Sequence, residues 1–153
     1  MACELRKREI PNAAGELVLV GCRQLAASKA LDLHIELIGK VGTEIFPFIE
    51  NKYNFSDIIF LMKAGKDAKL TELIKRVCSE ATLNGQTLQP TLFDSVFQND
   101  LMLVYKVFAF VVESNFYDFF KEGLALNEQR RLEVAEISTH DEPQNSTQAQ
   151  TSV

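Results

Sequence analysis

Hydrophobic and polar positions follow two periods along the chain. Glu4–Ile10 is a mixed polar segment, Pro11-Asn12-Ala13-Ala14-Gly15 is turn chemistry, and Glu16–Cys22 (ELVLVGC) is rich in Leu and Val. The N-terminus therefore reads as a β-hairpin. One hairpin is marginal alone, so it must pack on the helices. From about Ala27 to Val41 the period becomes helical, with Leu31, Ile35, Ile38 and Val41 at spacings of three and four. Ser28 is the expected N-cap and Gly42 the expected stop.

Thr43–Asn51 reads as a short helix with Pro47 near its start. Asn54-Phe55-Ser56-Asp57 is cap chemistry before Ile58–Met62, and Ala64-Gly65-Lys66 breaks the chain. A helix starting at Asp67 or Lys69 and reaching Ala81 places Leu70, Leu73, Ile74, Val77 and Cys78 on one face. Glu72 and Arg76 are spaced to pair across one turn of it. Thr82–Gln89 contains Asn84-Gly85, a turn signal that fits a small hairpin or a loop. Pro90 opens a helix through Leu92, Phe93, Val96 and Phe97, and Asp100 is a candidate N-cap for the longest helix, Leu101 to about Glu122. Gly123 is expected to end it.

The expected fold is mainly α: a small N-terminal β-hairpin, then a compact bundle of about five helices, then a disordered C-terminal tail. The expected boundaries are a helical domain over 1–123, a charged helical linker over 124–137 and the tail over 138–153. The tail is Gln, Ser, Thr, Asn and Pro with little apolar content. Such a segment buries too little surface to offset its ordering entropy.

Composition changes this picture only by exclusion. A chain of 153 residues can bury a real core without disulfides or metals. Its net charge of −5 gives no field that favours nucleic acid or anionic lipid. Cys3, Cys22 and Cys78 are odd in number, widely spaced and free of any CxxC pattern, which argues against zinc and for free thiols in a reducing cytoplasm. Met1–Glu9 is charged throughout, unlike a signal peptide. Leu101–Val112 is apolar apart from Lys106 but is about half the roughly 20 residues a bilayer span needs, so it reads as a buried helix.

Candidate chemistry is sparse. His34 lies in a helix between Leu33 and Ile35 without a nucleophile to serve, and His140 falls in the tail. Neither GxxxxGK[ST] nor GxGxxG occurs. Glu113, Asp118 and Glu122 read as a solvated polar edge. The expectation is no catalytic residue, no cofactor and no metal.

The aromatic residues carry more information. Seven of the eleven phenylalanines follow Thr91: Phe93, Phe97, Phe108, Phe110, Phe116, Phe119 and Phe120. A helix apolar on most of its circumference must be covered on several sides. Burial explains part of this cluster, and an interface with a partner helix or a second copy explains the excess. The expected partner-binding residues are Phe93, Phe97, Phe108, Phe116, Phe119 and Phe120.

The segment from Leu92-Phe93-Asp94-Ser95-Val96-Phe97 through Gln98-Asn99-Asp100-Leu101 leads into a long apolar helix and then Glu113-Ser114-Asn115-Phe116-Tyr117-Asp118-Phe119-Phe120. This order resembles the C-terminal half of phage tail assembly chaperones, which show an FD…F-x-G-D-like stretch, an apolar helix and an NF…FF ending. Leu17–Val20 followed by Leu25-Ala26-Ala27-Ser28-Lys29-Ala30-Leu31 is similar to the short strands and helix start of that family. The resemblance spans about Leu17–Phe120. Asn99 stands where the family has Gly, and Asn tolerates left-handed backbone better than most residues.

The resemblance implies a non-enzymatic protein of the host cytoplasm. It would bind the tape-measure protein while the tail tube protein polymerises around it, and would be absent from the finished particle. It also implies that a frameshifted, longer form could begin after Gly123. Homo-oligomers fit the aromatic excess; nucleic acid and membrane are not expected partners. The alternative is a structural tail component, a tail-completion or baseplate protein retained in the virion.

Overall fold

The computed structural model describes residues 5–66 and 69–151, with side chains as far as Ile137. The hairpin is present as β1 (Leu5–Pro11) and β2 (Leu17–Arg23), antiparallel with Ile10 opposite Val18 and Arg8 opposite Val20. Asn12 shapes the turn: its side-chain oxygen accepts from the N–H groups of Ala14 and Glu16. Alternation puts Val18, Val20 and Cys22 on the covered face and Leu17 and Leu19 toward solvent.

The sheet is larger than the hairpin alone. β3 (Ala81–Leu83) adds to β2, and β4 (Gln86–Thr87) to β3, giving the order β1-β2-β3-β4. Ala81, expected as the end of a helix, is thus a strand residue. The Asn84-Gly85 turn has φ values of 50° and 82°, the positive pair that a two-residue hairpin demands. Asn84 also ties this turn to β2, donating its N–H to the Leu19 carbonyl (2.7 Å) and accepting the Leu19 N–H on its side chain (2.9 Å). Gly21 sits where β2 and β3 approach closely, since a Cβ there would stand 2.7 Å from Thr82 Oγ1.

Helix α1 spans Ala27–Val41, and Gly42 ends it with φ 61°. Its N-cap is Ala26, not Ser28, and no side chain caps it. A 3-10 turn (Gly42–Ile45) leads into the short α2 (Phe46–Ile49), with Pro47 in its first turn. α3 (Phe55–Ala64) begins with a capping box: Asn54 accepts from the Asp57 N–H, and Asp57 accepts from the Asn54 N–H. α4 (Leu70–Cys78) buries Leu73, Ile74, Val77 and Cys78 as the pattern predicts. Arg76 pairs with Glu36 of α1 rather than with Glu72. A one-turn helical pair is worth only tenths of a kcal/mol, so a carboxylate on a neighbouring helix displaces it.

A 3-10 turn at Pro90–Leu92 precedes α5 (Phe93–Phe97), and α6 spans Leu101–Thr151. The expected stop at Gly123 does not occur. Strong helix formers flank it (Lys121, Glu122, Leu124, Ala125, Leu126), and glycine inside a helix costs only about 1 kcal/mol relative to alanine. The tail expected from Ser138 lies outside the residues whose side chains are described. The chain divides into two compact units, one reaching Tyr117 and one starting at Asp118.

The core of the first unit gathers Val20 and Cys22, Leu37 and Val41, Ile45, Phe48 and Ile49, Leu61, and Val77 and Cys78 around Val107, Phe108, Val111 and Val112 of α6. Burial raises the Cys22 thiol to about 11 and holds the Cys78 thiol higher still, so both stay protonated and inert at neutral pH.

The turn before α6 departs from the sequence-based expectation in one informative way. Phe97-Gln98-Asn99-Asp100 closes with the Asp100 N–H donating to the Phe97 carbonyl (2.9 Å), and the left-handed residue is Gln98 (φ 51°, ψ −115°), not Asn99. This is the first central position of a type II′ turn, where glycine is strongly favoured. Gln98→Gly is therefore expected to stabilise the fold by roughly 1 kcal/mol, the relief of strain outweighing the added freedom of the unfolded chain. Urea denaturation measures it, and a loss of stability would refute the strain.

Candidate partner-binding surface

The residues that carry the family resemblance lie at the two ends of the buried part of α6. Asp100 caps the helix, its Oδ1 accepting the Leu103 N–H (3.1 Å), while Oδ2 accepts the Ala13 N–H in the β1–β2 turn (2.8 Å). Glu113 receives the Arg8 guanidinium on both oxygens (2.8 and 2.9 Å). Arg8 lies 5.0 Å over the Phe110 ring, and the Glu113 hydrogen bond raises its already high pKa. The Ser114 carbonyl accepts from Gln24 Nε2, and Asn115 Oδ1 accepts the Leu25 N–H (2.8 Å). Asn115 Nδ2 donates back to the Val111 carbonyl. These polar residues hold the N-terminal hairpin and the β2–α1 connection against α6.

The six aromatic residues expected at an interface separate into groups. Phe97, Phe108 and Phe116 are buried. Phe108 stands edge-on to Phe48 (6.0 Å between centroids), and Phe116 lies 6.1 Å from the His34 ring. Phe93 is half-buried, packs 4.8 Å from Phe97 and lies under Lys75 Nζ. In the second unit, Phe119 and Phe120 stand edge to face at 5.2 Å, with Phe119 56% exposed. Phe93 and Phe120 are thus half-buried and Phe119 exposed, unlike the other three.

Other exposed apolar side chains are not evident from sequence periodicity. The buried stripe of α1 is Leu33, Leu37 and Val41, whereas Leu31 (55%) and Ile35 (60%), read as its covered face, are exposed. Both stripes have the same helical spacing, and packing selects one. The signal was present: α1 holds more apolar residues than one face can bury. On α3, Phe55 and Phe60 are exposed beside buried Ile58 and Leu61. In the second unit, Phe119, Leu124, Leu126, Leu132, Val134 and Ile137 are each more than half exposed.

The polar surface is organised differently. A cleft of about 180 Å³ is lined by Leu25, Lys29, Asp32, Leu33, Glu36, Arg76 and Glu80. A second, of about 370 Å³, has Glu36, Lys40, Lys69, Glu72, Lys75 and Arg76 in its walls. Neither includes His34. Arg76, and after it Lys40, holds the Glu36 carboxyl below the usual carboxylate range. A depressed folded-state pKa adds stability above the unfolded value that is lost as pH falls through the folded one. Glu36 is solvated, so the contribution is small. NMR titration is expected to place its midpoint below that of a free glutamate, and Arg76→Ala to move it back up; an unmoved midpoint would contradict the pairing.

Among the described residues no helix is long and apolar enough to cross a membrane, and no three His, Cys, Asp or Glu side chains gather as metal ligands. Helices on a small sheet, with several large apolar side chains left facing water, define a mainly helical class of protein. The chain belongs to the phage tail assembly chaperone (TAC) protein family, whose sequence pattern matches residues 20–127. No curated protein and no solved structure matches it.

Proposed function

We propose that this chain acts in the host cytoplasm without catalysing a reaction. It binds the tape-measure protein of its phage and holds those long helices in solution until the tail tube protein assembles around them. Family membership supports a role in tail assembly. The observation that carries the binding mode is the helix of the second unit, with six large apolar side chains each more than half exposed. Such a helix in water gains by laying its apolar side chains against another amphipathic helix. Phe119 and Phe120, and on the first unit Phe93, are the proposed contacts. The net charge of −5 favours solubility of the complex.

Affinity capture of the tagged chain during tail assembly tests this reading. Tape-measure protein should be recovered with it, and mass spectrometry of purified particles should find the chain missing. Capture without tape-measure protein sinks the proposal. A stoichiometric amount in mature particles would instead make the chain a structural tail component.

A further inference from the structure

We propose that two copies of this chain join edge to edge through β1, antiparallel about Arg8, so that Lys7 of one copy lies opposite Glu9 of the partner subunit. The inference is independent of tape-measure binding.

β1 is an end strand of the sheet. The direction of its main-chain groups is set by its neighbours. Leu19 spends both its N–H and its carbonyl on Asn84, on the side away from β1. Its opposite residue, Glu9, is therefore in a non-hydrogen-bonded pair, and the Glu9 N–H and carbonyl point off the sheet edge. By alternation, so do those of Lys7 and Leu5. Two further bonds agree with this parity. The Asn12 N–H turns inward to the Glu16 carbonyl (2.9 Å), and the outward Pro11 carbonyl accepts from Lys106 Nζ (3.4 Å). Among the described residues, the outward N–H and carbonyl groups of Lys7 and Glu9 thus form an open row of donors and acceptors, the template on which another strand adds.

Side-chain charge selects the occupant and the register. A two-fold axis at Lys7 would set Lys7 against itself, and one at Glu9 would set Glu9 against itself. Axes between residues would mismatch outward and inward main-chain groups. An axis at Arg8 places Lys7 opposite Glu9 twice, on the solvent face where both are exposed. It also brings Leu5 opposite Pro11 of the partner subunit, next to the exposed Leu17 that pairs with Pro11 in the hairpin. The like-charged Arg8 pair on the inner face carries little repulsion, because Glu113 grips each guanidinium with two hydrogen bonds. Opposite signs two residues apart are complementary to themselves across a two-fold axis, whereas a strand of one sign would repel its own copy. With about four ladder bonds from Lys7 and Glu9 across the axis, the dimer should be weak and concentration-dependent.

Sedimentation equilibrium of the full chain over a range of concentrations tests this. The wild type should shift from the 17.2 kDa monomer toward twice that mass. Lys7→Glu alone and Glu9→Lys alone should each weaken the dimer at least tenfold. The double exchange, Lys7→Glu with Glu9→Lys, should restore it. Thermal melts monitored by circular dichroism should show all three variants folded. A wild type that stays monomeric up to millimolar concentration overturns the proposal. So does a dimer indifferent to the single exchanges, or one that the double exchange leaves broken.

Discussion

Phe108→Ala is expected to lower the unfolding free energy by about 3–5 kcal/mol, the usual cost of deleting a large ring from a packed core. Phe108 is 0% exposed and stands edge-on to Phe48, which is itself fully buried and stacks 4.8 Å from Tyr53. Removing it forfeits the area of one ring and the geometry of two others. Because domains of this size are stable by only about 5–15 kcal/mol, the variant should lose a large share of its margin. Urea denaturation at 25 °C measures the change. A loss below about 1 kcal/mol would mean that the site collapses onto the missing ring, contrary to the close packing expected of a core.

Phe119→Asp should produce the opposite pattern, on the reading that this side chain meets the tape-measure protein. Its ring is more than half exposed, so the melting temperature should stay within a degree or two of wild type. Binding should fall by roughly thirtyfold or more, since a central aromatic contact is worth about 2 kcal/mol or more and the replacement brings a charge to an apolar interface. Titration of a tape-measure fragment into both forms provides the comparison. Unchanged affinity would remove Phe119 from the proposed interface, and a collapse in stability would make the ring structural.

The two variants separate roles that composition mixes. The aromatic cluster after Thr91 reads as core and interface in unknown proportion, and burial sorts Phe97, Phe108 and Phe116 from Phe93, Phe119 and Phe120. Nothing in the spacing could do so, because a ring packed in a core and a ring awaiting a partner have the same neighbours in sequence.

Local structure was legible in the residues alone. Turn residues marked the β1–β2 hairpin and the Asn84-Gly85 turn, capping residues marked the starts of α3 and α6, and Gly42 marked the end of α1. Each signal acts within four or five residues, a range at which backbone sterics and single hydrogen bonds decide. The sequence also held, in the order of its Phe, Asp and Asn positions, the resemblance that the family match supports over residues 20–127. Features that depend on distant partners emerged only in the packed fold. β3 joined β2 across some sixty residues. Arg8 found Glu113, and Leu25 found Asn115, at separations of 105 and 90 residues. α1 turned its Leu33–Leu37–Val41 stripe inward and left Leu31 and Ile35 in water. In each case the sequence offered several acceptable partners or faces, and only close packing of the whole domain selects among them.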